Sequence, residues 1–322
     1  MALRARLFIA LAALAAASCA GADEPGRSDP AAVSAFDGAP LSGAFPVGVV
    51  YKREIGGAPP GAMIVYPAGE TGLTLTSDTA PTFEAQDVRR RFGPDAAATL
   101  AKARGPLRPG APIRAGRYPV VVFMPGAGLG AMQYRLLLAD LASHGRIVVA
   151  LYPGTSPPAG EARYREAAQE MSRAAAASDF AEFAAGPTVL VGHSLGGAAA
   201  VLALAQTPSA VAAVNIDGDT PSNLAAPAPH RPILYITGNE DGDAARSRDR
   251  RARDWATIAG PNPAARRLAM PDMRHLDVTD AASLPPALTA KAREDGRSGP
   301  SGGAAIRSRI VSLILGLPLT RS

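Results

Sequence analysis

The 322-residue chain has one cysteine, Cys19, so no disulfide can form within it. Aromatic residues make up only 5% of the sequence, and none of them interleave with a basic stripe, which argues against nucleic acid as a partner. The same scarcity leaves no evident stacking platform for a sugar or a polymer. Excess charge of one sign is also lacking. The formal charge is +5, and without Arg4 and Arg6, which lie in a segment expected to be removed, 31 basic residues face 28 acidic ones, a net of +3. So small a balance calls for no polyanionic partner. Histidine is scarce, with four in all, so a catalytic one can be sought by elimination.

What is present is a large apolar fraction, 47% of residues against 19% charged. That composition supports a sizeable core and excludes wholesale disorder. The amino terminus reads as a charged start followed by a short apolar run, the pattern of an export signal. The run is too short to span a bilayer. It ends in Ala16-Ala17-Ser18-Cys19, which resembles a bacterial lipobox. The expectation is a signal peptide over residues 1–18 and a lipidated Cys19 that attaches the protein to a membrane. Cleavage after Ala20-Gly21-Ala22 would instead leave a soluble periplasmic or secreted protein. Residues 19–44, rich in Gly, Ala, Pro, Asp and Ser, read as a flexible tether, and residues 45–322 as one domain without internal repeats.

Within that domain apolar runs alternate with helical patterns. Strands are expected at Val47–Lys52, Ala62–Tyr66, Tyr118–Met124, Arg146–Tyr152, Thr188–Val191, Val211–Ile216, Pro232–Thr237 and Arg267–Met270. Helices are expected within residues 84–104, including Asp87–Phe92, and at Met132–His144, Ala159–Ala185, Gly196–Gln206, Asp249–Ile258 and Ala304–Leu317. Tyr118–Met124 is a continuous β-branched apolar run, as suits a strand buried on both faces. Such alternation implies an α/β fold, a mostly parallel central sheet with helices on both faces. Ligands of such sheets sit outside the carboxyl ends of the strands.

That rule filters the candidates. Thr188–Val191 runs into Gly192-His193-Ser194-Leu195-Gly196, a G-x-S-x-G between a strand and a helix. In that setting the serine sits on a tight, strained turn with its hydroxyl exposed, and small residues at 192 and 196 let strand and helix approach. A serine nucleophile needs a general base. His144 and His230 each precede a strand, which places them at the amino edge. His193 adjoins the serine in the turn and is expected to point elsewhere. His275 follows the last strand at the carboxyl edge and lies after every acid candidate, so it is the expected base. The acid is Asp217, after Val211–Ile216, or Glu240 or Asp241, after Pro232–Thr237, and periodicity does not decide between them. Asp219, Asp243 and Asp249 read as solvated loop acids. An oxyanion needs preorganised donors: the amide of Leu195, and one from the Pro125-Gly126-Ala127-Gly128 loop, for which Ala127 is chosen.

Taken in order, these segments resemble the platelet-activating-factor acetylhydrolase-like branch of the α/β-hydrolases, which overlaps with dienelactone-hydrolase-like esterases. The resemblance runs from Phe45-Pro46-Val47-Gly48 and Val65-Tyr66-Pro67-Ala68, through Tyr118–Phe123 and Leu141-Ala142-Ser143-His144-Gly145, to Asn215-Ile216-Asp217-Gly218 and Arg274-His275-Leu276-Asp277. It implies an α/β-hydrolase fold and a Ser194, Asp217, His275 triad, and so favours Asp217 as the acid. It also implies hydrolysis of small-molecule or lipid carboxylic esters through an acyl-enzyme, short-acyl phospholipid esters among them, without metal or organic cofactor. The chain departs from the family at Pro125-Gly126, where His-Gly is usual, and the Pro- and Gly-rich stretch Leu284–Gly303 finds no place in it. The other readings are a polyester or peptide hydrolase on the same scaffold and a non-catalytic lipoprotein that serves as a binding module.

Overall fold

The computed structural model describes residues 30–37, 39–81, 85–152, 160–177, 179–221, 223–224, 230–239 and 245–318. In chain order the strands are β1 (Val47–Lys52), β2 (Ala62–Pro67), β3 (Leu107–Pro109), β4 (Tyr118–Met124), β5 (Ile147–Leu151), β6 (Ala184–His193), β7 (Ala210–Ile216), β8 (Ile233–Thr237) and β9 (Ala265–Ala269). The helices are α1 (Pro30–Asp37), α2 (Ala85–Phe92), α3 (Pro94–Lys102), α4 (Arg135–Ser143), α5 (Ala162–Ala176), α6 (Leu195–Gln206), α7 (Ala245–Ala259), α8 (Pro286–Glu294) and α9 (Gly302–Leu315).

All nine strands join one sheet in the order β3-β1-β2-β5-β4-β6-β7-β8-β9. β2 pairs antiparallel with both β1 and β5, and the run from β5 to β9 is parallel throughout. Neighbouring residues of a strand face opposite sides of the sheet, and here both sides are apolar. Val121 and Phe123 of β4 face one core with Val189 and Val191 of β6. Val122 and Met124 face the other with Leu190. The first core is closed by α2, α3, α4, α8 and α9, the second by α5 and α6. This double burial is why the strands read as unbroken β-branched runs. β5 lies on one side of β4 and β6 on the other, so the strand order reverses at β4. A crevice opens at such a switch point, outside the carboxyl ends of the strands.

Three expectations are corrected. First, the tether does not extend over all of 19–44. Pro30–Asp37 is a helix with Ala32 and Phe36 buried, the Arg135 guanidinium lies 5.0 Å from the Phe36 ring centroid, and the Asp37 carboxylate accepts the amides of Arg104 and Gly105. Second, the helix expected over Ala159–Ala185 ends at Ala176. The Ala-rich residues beyond it favour helix by propensity, but pairing overrides this: Tyr118 donates to the Phe183 carbonyl and stands opposite Ala184, so β6 begins there. Third, the stretch Leu284–Gly303 does have a place. It contains α8 and then closes back on the loop after β9: Ser298 Oγ and the amide of Gly299 donate to the buried carboxylate of Asp277 at 2.6 and 2.8 Å.

Residues 1–18, Cys19, Glu240, Asp241 and Asp243 lie outside the described residues. Among the described residues no helix is long and apolar enough to cross a membrane.

Candidate active site

Ser194 sits between β6 and α6 with φ 54° and ψ −119°, a conformation that costs a non-glycine residue of order 1–3 kcal/mol. The surroundings enforce it. The Ser194 amide donates to the Ile216 carbonyl at 2.8 Å, and Ala198 donates to the Ser194 carbonyl. The glycines of the motif are required by contact. A Cβ at Gly192 would lie 2.1 Å from the Gly196 carbonyl oxygen, and one at Gly196 would lie 2.0 Å from that of Met124. Strand and helix therefore touch backbone to backbone, and Ser194 is half-buried at the turn they make.

Asp217 directly follows β7, and His275 lies in the loop after β9. His275 Nδ1 is 2.6 Å from Asp217 Oδ2, and the Gly238 amide donates to Asp217 Oδ1 at 2.8 Å. Burial disfavours charge on this carboxylate. The hydrogen bond and charge of His275 and the Gly238 amide outweigh burial and hold the Asp217 carboxyl below the usual carboxylate range. Loop contacts fix the pair: Asn239 donates to the Met273 carbonyl, and Asp277 accepts the Arg274 amide on one side and the tail on the other. Further along, the buried Asp280 carboxylate accepts the Arg135 and Leu136 amides and pairs with the Arg135 guanidinium at 3.2 Å. That carboxylate satisfies two of the orphan amides at the start of α4 and ties the histidine loop to the main core.

Ala127 and Leu195 line the same cleft as Ser194, Asp217 and His275. Neither the Ala127 nor the Leu195 amide has a hydrogen-bond partner among the described residues. The Gly126 amide is engaged by the Tyr134 hydroxyl at 3.2 Å, and that hydroxyl stands 2.8 Å from His193 Nδ1. As its place in the turn suggested, His193 does not line the cleft. It is fully buried beside the site, its ring centroid 4.6 Å from that of His275. His144 lies at the other edge, 2.8 Å from Ser42 Oγ, and His230 is exposed before β8. The Ser194 hydroxyl makes no hydrogen bond to His275 among the described residues. Contacts of this type commonly tighten only around substrate.

The cleft has a volume of about 390 Å³ and a mostly polar lining. The Arg163 guanidinium lies over the Tyr164 ring at 4.9 Å. Asp219, partly exposed in its loop, pairs with Arg250 and, at 3.8 Å, with Arg251. Asp249 is exposed on α7. Sequence reasoning missed Tyr134, Asp277 and Asp280. No short-range pattern marks Tyr134 and Asp280, whose partners His193 and Arg135 are brought near only by folding, and Asp277 reaches Ser298 and Gly299 of the tail in the same way. Among the described residues no group of three or more His, Cys, Asp or Glu could hold a metal ion.

Comparison with known proteins agrees with this architecture. Residues 121–317 match a family described as "Alpha/beta hydrolase family". Among solved structures the chain is similar to a ferulic acid esterase from Streptomyces cinnamoneus, with 21% identity, a TM-score of 0.61, and coverage of 88% of this chain and 95% of that one. At that identity the likeness speaks for the fold alone. No curated protein matches the chain.

Proposed function

The chain belongs to the alpha/beta hydrolase family, and from that premise we propose that it is a serine-dependent carboxylic ester hydrolase with Ser194 as nucleophile, His275 as general base and Asp217 as the orienting acid. The observation that carries this reading is the 2.6 Å contact between Asp217 and His275 in the cleft that also holds the strained Ser194. Ser194 Oγ attacks the ester carbonyl, and His275 Nε2 takes its proton. Asp217 on Nδ1 holds the ring in the required tautomer and stabilises the imidazolium. The free amides of Ala127 and Leu195 receive the oxyanion, which places negative charge at the amino end of α6. Collapse expels the alcohol with a proton from His275, and the same base then activates water against the acyl-enzyme.

The polar lining supports small or short-acyl esters over long acyl chains, because an extended alkyl chain would desolvate Asp217, Asp219 and Asn239 without pairing them. The finer kinship, to the platelet-activating-factor acetylhydrolase-like branch, rests on the ordered segments from Phe45 to Asp277. Export and lipid attachment at Cys19 belong to the proposal on the sequence of residues 1–22.

The test is hydrolysis of p-nitrophenyl esters from acetyl to palmitoyl by the wild-type protein and Ser194→Ala. Turnover of the short esters by the wild type, lost in the variant, is expected. Absence of turnover together with no labelling of Ser194 by a fluorophosphonate would overturn the reading.

A further inference from the structure

Gly126 of the loop after β4, Tyr134 before α4, His193 at the end of β6 and the backbone of His275 meet at one buried point. Tyr134 and His193 are both inaccessible to solvent. The Tyr134 hydroxyl accepts the Gly126 amide and stands 2.8 Å from His193 Nδ1. Its ring packs edge-on against Phe123 at 4.9 Å, which fixes where the hydroxyl can be. Burial pushes the Tyr134 hydroxyl well above its ordinary value, so it keeps its proton. An amide only donates, so that proton can go only to His193 Nδ1, and the imidazole carries its own on Nε2.

Nε2 is buried and has no hydrogen-bond partner of good geometry. The His275 backbone is the acceptor whose approach favours the charged ring. A buried donor left short of a partner costs about 1–3 kcal/mol, and such a group in a native fold calls for an explanation. The packing is equally tight elsewhere: a Cβ at Gly126 would lie 3.1 Å from His193 Nδ1 and 3.2 Å from Ser194 Cβ.

We propose that His193 and Tyr134 are positioning residues for the reaction, holding the oxyanion loop and the catalytic imidazole in register over Ser194. The assignment rests on the ester hydrolase reading above. Neither residue touches the substrate. Tyr134 sets the height of Gly126, and with it the direction of the neighbouring Ala127 amide. His193 transmits that position to His275 through ring contact and backbone, and it is covalently next to Ser194. Burial and the nearby His275 keep the His193 ring neutral, so the cluster adds no second positive charge when His275 is protonated during turnover.

A histidine that only filled the core would affect stability without touching transition-state binding. Tyr134→Phe keeps the ring packing and removes the hydroxyl. His193→Gln keeps a donor near Nε2. The experiment measures kcat and KM on p-nitrophenyl acetate per site titrated with a fluorophosphonate, and the affinity for phenylboronic acid as an analogue of the tetrahedral intermediate. Tyr134→Phe is expected to lower kcat by about 10- to 100-fold, on the order of displacing one oxyanion donor, with KM changed by less than about twofold. Phenylboronic acid should lose affinity by the same factor as kcat/KM, and the Tyr134→Phe, His193→Gln double variant should be no worse than the poorer single one. Wild-type kcat in Tyr134→Phe, or a kcat loss with unchanged boronate affinity, would overturn the positioning role alone. An inactive wild type would overturn the hydrolase reading and this role with it.

Discussion

Ser194 and Asp217 share a positive φ, 54° and 51°, that no other described non-glycine residue has. The two positions are joined, because the Ser194 amide donates to the carbonyl of Ile216, the residue before Asp217. β6 and β7 are parallel neighbours in register, Gly192 beside Asn215 and His193 beside Ile216, so the sheet presents both side chains at the same edge. Strain of this kind persists only where its surroundings over-determine it, and it gathers at functional sites.

Relief of that strain is measurable. Ser194→Gly accepts the positive φ without a Cβ, so the variant should lose ester turnover and gain stability. The gain should be about 1 kcal/mol after the entropy of glycine in the unfolded chain is counted. Urea unfolding of wild type and variant decides it, and a less stable Ser194→Gly would mean that the turn is not strained.

In the proposed triad, Asp217→Asn would keep the shape of the side chain but no longer stabilise the imidazolium or fix its tautomer. The kcat for p-nitrophenyl acetate should fall about 10³- to 10⁴-fold, with KM little changed. Asp241→Asn serves as the comparison. If that substitution caused the loss and Asp217→Asn did not, the acid would be misassigned.

His193 makes a prediction about acid stability. Burial, joined by the nearby His275, lowers its folded pKa to about 3, below an unfolded value near 6.5. Below about pH 6.5 the unfolded chain therefore binds a proton that the folded chain does not. The stabilisation is complete above that pH and is lost as the pH falls toward about 3, with a slope of at most about 1.4 kcal/mol per pH unit from this group. In His193→Gln, urea midpoints measured from pH 7 to pH 4 should decline less steeply than in wild type. Parallel declines would show that His193 takes up its proton while folded.

Asp280→Ala leaves the Arg135 guanidinium buried without its carboxylate. Breaking a buried pair in this way costs about 3–5 kcal/mol, and the Arg135 and Leu136 amides lose their acceptor as well. A large drop in Tm is expected. The folded protein at low temperature should also turn over more slowly, because the loop that carries His275 loses its tie to α4. A Tm within about a degree of wild type would show that Asp280 does not anchor that loop.

Much of this protein follows from short-range pattern. The β-branched runs at Tyr118–Met124 and Ile147–Leu151 and the strand-turn-helix around Ser194 depend on residues close in sequence, where backbone sterics and side-chain period dictate the outcome. From these the α/β-hydrolase fold and the edge of the sheet that bears the site were legible.

Contacts across distance in the chain were not. Tyr134 and His193 are 59 residues apart, and Arg135 and Asp280 are 145 apart. Their meeting depends on how helices and loops pack once the sheet has formed, and no period in the sequence encodes the direction of a side chain in a loop. The same reason explains why Ala184 became strand against its propensity, why Pro30–Asp37 docked instead of trailing, and why Ser298 and Gly299 closed over Asp277. The sequence by itself determined which atoms could do chemistry and at which edge of the sheet they would stand. Only the tertiary structure decided what holds them there, because burial and hydrogen bonding between distant segments are properties of the packed chain.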